Sequence, residues 1–277
     1  MLRRPPARPH PRPLAELPDA ALAAVRGVLT DIDDTLTRDG AIESEALAAL
    51  HALAAAGLPV VAITGRPAGW SRPFVRDWSL RAIVAENGGV LLTRDDTQPD
   101  GLRLAFTVDE AERARRFQRL QACAAAVLAE VPGAMLAQDS SGRLTDIAVD
   151  HSEFAQLSAA QIDAVLAVMR AHGLTATVSS IHINGWIGDH NKWTGALWAV
   201  EQVLHLPFDP AEWLYVGDSS NDQLMFERVP LSVGVANVAR FLPTMDVPPA
   251  WVTAGERGVG FADLAAKLLA ARAAVSQ

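Results

Sequence analysis

Three apolar runs rich in β-branched residues constrain the fold of this chain more than any other feature. They cover residues 25–32, 58–65 and 82–92, and helix-like segments at 43–56 and 70–80 separate them. Apolar runs without polar alternation are typical of strands buried on both faces, as in parallel sheets covered by helices. Strand, helix, strand, helix and strand with short links predict an α/β fold with a doubly wound parallel sheet.

The pattern changes after residue 92 and returns after residue 185. Residues 93–185 alternate two helices, at 109–130 and 158–172, with short strands, and this predicts an inserted α+β cap domain with an antiparallel sheet. The expected strands of this insertion are 102–108, 134–139, 144–150 and 174–187. We therefore expect one α/β core, formed by residues 21–92 and 186–277, that the cap domain interrupts.

The first 20 residues and the overall composition limit the partners. Residues 1–20 begin with a stretch rich in Arg and Pro, which predicts a flexible tail, and this stretch lacks the apolar segment of a secretory signal. The net charge of −8 argues against nucleic acid, and no apolar run is long enough to span a membrane. The single cysteine, Cys123, cannot form an internal disulfide, which fits the reducing cytoplasm. The sequence does not indicate the oligomeric state.

Polar residues cluster where the strands of the core are expected to end. The carboxyl ends of the strands form the reactive edge of an open α/β sheet. The residues at this edge are Asp31, Asp33, Thr64, Gly65, Arg66, Lys192, Asp218 and Asp222. Asp31 and Asp33 are two positions apart, so their side chains point to the same side of an extended chain.

Such a cluster of carboxylates repels itself unless a cation lies within it. Oxygen ligands without Cys or His favour Mg²⁺ over zinc. A lysine and a threonine directed to the same place suit a dianionic phosphoryl group. An aspartate there is a candidate nucleophile, and a second aspartate is a candidate proton donor to the leaving group.

Four motifs in order carry a family resemblance. "DIDDTLT", "ITGR", "NKWTGAL" and "GDSSND" resemble the motifs of the haloacid dehalogenase-like (HAD) hydrolase superfamily. The insertion resembles its C2-type cap, and "AENGG" with the repeated helix and strand pattern resembles subfamily IIB, which includes Cof-type and sugar-phosphate phosphatases. The resemblance covers about residues 21–277.

The resemblance implies roles for the motif residues. It makes Asp31 the nucleophile and Asp33 the general acid and base, with Thr64, Gly65 and Lys192 at the phosphoryl group. Asp31, the backbone carbonyl of Asp33 and Asp218 would ligate Mg²⁺. Asp222 would support the metal ligands, and Asn221 would orient neighbouring groups.

Two residues depart from the family pattern. Asp34 and Trp193 stand where many relatives have glycine. We expect the Asp34 side chain to face outward and the packing beside Lys192 to differ.

The cap offers candidates for substrate specificity. His182 and Asn184 share one face of a predicted strand, and if this face looks towards the catalytic edge, His182, Asn184 or Trp186 could contact the leaving group. Arg66 of the core is a candidate for substrate contact, and the alternative is a surface cation. Alternatively, Trp186 packs at the hinge between cap and core, which we favour, and His182 is simply exposed. Arg143 and Asp146, near another cap strand, are less favoured candidates.

These observations predict a Mg²⁺-dependent phosphomonoesterase that acts on a small phosphorylated metabolite, with a sugar phosphate as the favoured class. A sugar phosphomutase that uses the same aspartate pair, and a non-catalytic regulator that binds a phosphorylated ligand, are the alternatives.

Overall fold

The computed structural model describes residues 10–205 and 208–275. The strands are β1 (Arg12–Pro13), β2 (Gly27–Thr30), β3 (Thr37–Arg38), β4 (Ala41–Ile42), β5 (Val60–Ile63), β6 (Ala82–Ala85), β7 (Val90–Arg94), β8 (Leu102–Phe106), β9 (Met135–Leu136), β10 (Asp146–Asp150), β11 (Thr175–Val178), β12 (His182–Trp186), β13 (Trp213–Gly217), β14 (Leu231–Gly234) and β15 (Trp251–Val252). The α-helices are α1 (Asp19–Ala23), α2 (Ser44–Ala55), α3 (Ala68–Ser71), α4 (Phe74–Asp77), α5 (Glu110–Glu130), α6 (Ala159–Ala171), α7 (Lys192–Leu204), α8 (Gln223–Arg228) and α9 (Arg257–Val275).

Contacts between residues divide the chain into two compact units. Of the described residues, the first unit contains 10–62, 78–80 and 208–275, and the second contains 63–77 and 81–205. The predicted cap boundaries at 93 and 185 stay a prediction.

The first unit is built on a parallel sheet with the strand order β1-β15-β14-β13-β2-β5. The strands β2, β5 and β13 are completely buried, as expected from their uninterrupted apolar sequences. Helix α9 packs against both α1 and α2. A parallel sheet with flanking helices confirms the fold class.

The segment at residues 10–20 is ordered, and the prediction of a flexible tail is wrong there. Strand β1 pairs in parallel with β15, and Arg12 lies over the Trp251 ring at 3.7 Å from its centroid. Leu14 and Leu17 are buried. Burial of these two apolar side chains favours a fixed position for the segment, although the preceding stretch is rich in Arg and Pro. The part of the predicted tail at residues 1–9 lies outside the described residues.

The second unit begins with three antiparallel strands, β6, β7 and β8. The run at 82–92 forms two strands joined by a turn at Glu86–Gly88, and Pro73 interrupts the helix expected at 70–80, so α3 and α4 are separate. Strand β8 was expected in the cap sheet, but it pairs with β7, because the polar turn between them closes a hairpin.

A four-stranded antiparallel sheet with the order β11-β12-β10-β9 forms the rest of the second unit with α5 and α6. The apolar positions Ile147, Val149 and Ile183 share one buried cluster with residues of α5 and α6. The alternate positions on β10 and β12 are buried as well, and all of them except Ala148 are polar or aromatic. This second buried face supplies the residues discussed below.

Within the part of the chain that the structure describes, no helix has both the length and the apolar character needed to cross a membrane.

Candidate active site

Three of the predicted carboxylates meet in the first unit. Asp31 directly follows β2 and Asp218 directly follows β13, and these two strands are parallel neighbours. Asp222 closes the turn that begins after Asp218. One carboxylate oxygen from each residue lies within 4.8 Å of the other two, and all three side chains are buried. Parallel neighbours end at the same edge of a sheet, and this explains the cluster.

Asp218 has one carboxylate oxygen with hydrogen-bond donors and one without a donor among the described residues. Its Oδ2 accepts hydrogen bonds from Asn237 Nδ2 at 3.2 Å and Arg240 Nη2 at 3.1 Å, whereas its Oδ1 has no partner among the described residues. Burial, together with the charges of Asp31 and Asp222, raises the pKa of Asp218 well above its usual range. A buried, unpartnered carboxylate oxygen among like charges fits a cation, and an all-oxygen donor set fits a hard one such as Mg²⁺.

Asp222 fixes the turn rather than facing an open space. Its Oδ2 accepts from the backbone N–H groups of Asp218 at 3.0 Å and Ser219 at 3.1 Å, and its Oδ1 accepts from the Tyr215 hydroxyl. Burial and the charge of Asp222 raise the pKa of Tyr215 well above its usual range, so the hydroxyl keeps its proton. Asn221 Oδ1 accepts from the Ser219 hydroxyl at 2.9 Å. These bonds place the Asp218 side chain.

Asp33 is half-buried, and its neighbour Asp34 is held by two arginines. The Asp34 carboxylate pairs with Arg240 at 2.9 Å and Arg257 at 2.7 Å, and its side chain is 14% exposed. The expectation that Asp34 faces outward is therefore wrong. Its φ of +57° is the left-handed conformation that glycine adopts freely and that Asp tolerates.

Thr64 directly follows β5 in the second unit and is fully buried. Its backbone N–H donates to Val84 O at 2.8 Å, and its carbonyl accepts from Asn87 N at 3.0 Å. Its Oγ1 accepts from the Arg66 N–H at 3.0 Å. Because a backbone N–H can only donate, the Thr64 hydroxyl keeps its own proton for another acceptor.

Lys192 is the first residue of α7 and is buried. Asn191 and Thr194 form a capping box at this end of the helix. A Cβ on Gly88 would lie 2.5 Å from Asn191 O, and one on Gly195 would lie 2.9 Å from Gly88 Cα. Glycine at both positions is thus what lets the first turn of α7 approach the "ENG" turn, and this contact fixes where the lysine starts.

Arg66 and His182 are both bound to Glu153 within the second unit. Arg66 Nη2 donates to Glu153 Oε1 at 2.8 Å and its Nη1 donates to Asp139 at 3.2 Å, while His182 Nε2 lies 2.9 Å from Glu153 Oε2. Burial alone would raise the pKa of Glu153, but the hydrogen bonds from His182 and Arg66 lower it to about 2. His182 is buried, so the alternative of an exposed histidine is wrong.

Asn184 lies on the same buried face of β12 as His182. Its Nδ2 donates to Gly65 O at 3.2 Å and to Asp146 at 3.1 Å. Trp186 is buried and donates its ring N–H to His190 O at 2.8 Å. Each predicted cap residue therefore has a defined partner inside the second unit.

Several residues that contact the predicted site residues or their loops were not identified from the sequence. Glu86 and Asn87 interrupt the apolar run at 82–92, and this interruption is a signal that the sequence does provide. Arg240 and Glu153 are isolated charges among many others, and the sequence gives no sign that they contact Asp218 and Arg66.

Comparisons with known proteins agree with the motifs. The family model described as haloacid dehalogenase-like hydrolase matches residues 28–117. A search of curated proteins gives no match.

Solved structures share the fold over most of the chain. A HAD/COF-like hydrolase from Plasmodium vivax is 18% identical with a TM-score of 0.65, covering 91% of this chain and 99% of its own. The sucrose-phosphatase from Synechocystis sp. PCC6803 is 17% identical with a TM-score of 0.62, covering 88% and 98%. A sugar phosphatase of HAD subclass IIB is 14% identical with a TM-score of 0.57, covering 83% and 93%. The predicted resemblance is confirmed: this chain has the fold of the haloacid dehalogenase-like hydrolases and matches their family model over residues 28–117.

Proposed function

We propose that this protein is a Mg²⁺-dependent phosphomonoesterase that works through an aspartyl-phosphate intermediate. The observation that carries the proposal is the buried cluster of Asp31, Asp218 and Asp222, in which Asp218 Oδ1 has no partner among the described residues. Asp31 and Asp218 would hold the cation, with the Asp33 carbonyl as a further ligand by the family resemblance. When bound, the cation neutralises the carboxylates and the charge of the phosphoryl group.

The reaction follows from two carboxylates with different tasks. An Asp31 oxygen attacks phosphorus, the bond from phosphorus to the ester oxygen breaks, and Asp33 gives its proton to the departing alcohol. Asp33 then takes a proton from water, which attacks phosphorus, releases inorganic phosphate and regenerates Asp31. By the family resemblance, the Thr64 hydroxyl and the Gly65 backbone would bind the phosphoryl oxygens, and Lys192 would supply positive charge.

A small sugar phosphate is the substrate class that we propose. The support is that a sucrose-phosphatase and a subclass IIB sugar phosphatase share this fold.

The test is phosphate release from p-nitrophenyl phosphate with Mg²⁺. We expect turnover by the wild type and only background release by Asp31→Asn, because the amide cannot act as the nucleophile. Asp39→Asn is the matched control, since it is the same substitution at an exposed residue of the nearby hairpin turn.

Retained turnover in Asp31→Asn would contradict the mechanism. With a hexose 1-phosphate and a catalytic amount of the hexose bisphosphate, release of inorganic phosphate supports the hydrolase, whereas accumulation of the 6-phosphate identifies a mutase. Absence of turnover over a panel of phosphate esters, combined with ligand binding, identifies a regulator.

A further inference from the structure

The carbonyl of Gly65 is held by two side chains from the four-stranded sheet region of the second unit. Arg143 Nη1 donates to Gly65 O at 2.9 Å, and Asn184 Nδ2 donates to it at 3.2 Å. Both donors are buried, with exposures of 4% and 1%. Gly65 lies between Thr64 and Arg66, so these bonds act on the middle of the loop that follows β5.

A buried carboxylate aligns the two donors. Arg143 Nη1 lies 2.8 Å and 2.9 Å from the two oxygens of Asp146, and Asn184 Nδ2 lies 3.1 Å from Asp146 Oδ2. The register of β10 and β12 pairs Asp146 with Trp186 and Ala148 with Asn184, so Asp146 and Asn184 are diagonal neighbours on one face. We call Arg143, Asp146 and Asn184 the Gly65 clamp.

Glycine at position 65 explains why the loop needs such a clamp. A Cβ there would lie 3.2 Å from Asn184 Oδ1 and 3.3 Å from Asn87 Nδ2, so the close approach favours glycine. Glycine also gives the loop more backbone freedom than any other residue. If the clamp is lost, the Gly65 carbonyl loses both donors, and a rotated orientation of the peptide between Gly65 and Arg66 becomes closer in free energy to the observed one.

The orientation of this peptide bears directly on Thr64. The amide that includes Gly65 O also includes the Arg66 N–H, and this N–H donates to Thr64 Oγ1. If the peptide rotates, Thr64 Oγ1 loses the hydrogen bond from the Arg66 N–H, and its hydroxyl proton is then free to point in another direction. The clamp therefore fixes a donor geometry at Thr64 through a single peptide group.

We propose that Arg143, Asp146 and Asn184 are positioning residues that hold the Thr64–Arg66 loop in its phosphate-binding geometry. This inference rests on the proposed function, because it assigns the loop to the phosphoryl group. The clamp itself does not bind the leaving group, so its effect extends to substrates without a sugar.

The test uses the full-length protein with Mg²⁺ and the variants Asn184→Ala, Arg143→Lys and Arg143→Ala. Thr177→Val is the matched control, because Thr177 pairs with Asn184 in the register of β11 and β12 and its buried Oγ1 has no partner among the described residues. Two quantities are measured: hydrogen exchange in peptides that span 63–69, and kcat and KM for p-nitrophenyl phosphate.

We expect Asn184→Ala to accelerate exchange in 63–69 and to lower kcat about tenfold with little change in KM, because the loss is one of alignment. Arg143→Lys keeps the charge beside Asp146 and should retain more activity than Arg143→Ala. The double variant Asn184→Ala/Arg143→Ala should lose little more than the worse single variant, because both donors hold one peptide. The control should match the wild type in both measurements.

Unchanged exchange in 63–69 for the variants would overturn the inference whatever their activity, and so would faster exchange with an unchanged kcat. Arg143→Lys keeps a cation at the site and provides a folded variant if alanine at position 143 prevents folding. A wild type without turnover refutes the proposed function instead, so the two failures are distinct.

Discussion

Tyr215 supports the carboxylate cluster through one hydroxyl group. The hydroxyl donates to Asp222 Oδ1 in a fully buried environment, and Asp222 in turn holds the backbone N–H groups of Asp218 and Ser219. Asp31 adds a further negative charge near Tyr215. The Tyr215 side chain therefore links β13 to the turn that follows it, and this turn carries Asp218 and Asp222.

We predict that Tyr215→Phe lowers the free energy of unfolding by about 1–3 kcal/mol, because a buried carboxylate oxygen loses its donor. Urea denaturation measures this change. Thr35→Val is the control, since it removes a buried hydroxyl that has no partner among the described residues and should cost much less. Equal losses in the two variants would argue that the cost comes from packing alone.

Residues at strand ends were predictable, whereas their long-range partners were not. Asp31 and Asp218 each follow an apolar run that could be identified as a strand, and parallel pairing then places them at one edge. Asp34 was misjudged, because its partners Arg240 and Arg257 lie more than 200 positions away and nothing in the local sequence indicates them. The roles assigned to the site residues stay predictions.

At the scale of elements, the turn between β6 and β7 connects several loops of the second unit. The Glu86 carboxylate is fully buried and accepts from the backbone N–H groups of Ala68, Leu144 and Thr145, at distances of 2.5–3.0 Å. Glu86 itself has a φ of +51°, a strained value for a residue with a long side chain. The bonds compensate this strain and tie the start of α3 to the segment before β10.

Glu86 also makes stability depend on pH. Burial, followed by the charge of Asp146, raises the pKa of Glu86 to about 7. The folded state then binds more protons than the unfolded state between the ordinary glutamate pKa of about 4.3 and about 7, so stability falls as pH rises through this window.

We predict that Glu86→Gln reduces the loss of stability between about pH 5 and about pH 8, because glutamine does not titrate. The measurement is the unfolding free energy in urea at both pH values. Glu130→Gln, at the exposed end of α5, should keep the wild-type dependence. A Glu86→Gln variant with that same dependence would assign the effect to other buried groups.

At the scale of the whole molecule, sequence periodicity predicted which segments are helices and strands better than it predicted which strands pair with each other. The parallel sheet and the antiparallel sheet with its two helices follow from apolar runs and from alternation, because these patterns record which faces are buried. Strand β8 was assigned to the wrong sheet, since a hairpin partner is chosen by the turn and not by the strand's own pattern. The segment at 10–20 was wrongly predicted to be flexible, because an Arg/Pro-rich composition does not indicate that Leu14 and Leu17 are buried.

If the carboxylate cluster binds Mg²⁺ as we propose, the cation stabilises the folded chain. We predict that millimolar Mg²⁺ raises the melting temperature relative to EDTA, since a ligand that binds only the folded state adds about 2.7 kcal/mol at a hundred times its Kd. Asp218→Asn should abolish most of this increase, because it removes the carboxylate whose Oδ1 has no partner among the described residues. Asp39→Asn removes one negative charge at an exposed position and should keep the full increase. If Asp218→Asn responds to Mg²⁺ as the wild type does, the cation stabilises the protein elsewhere and the carboxylate cluster is not its site.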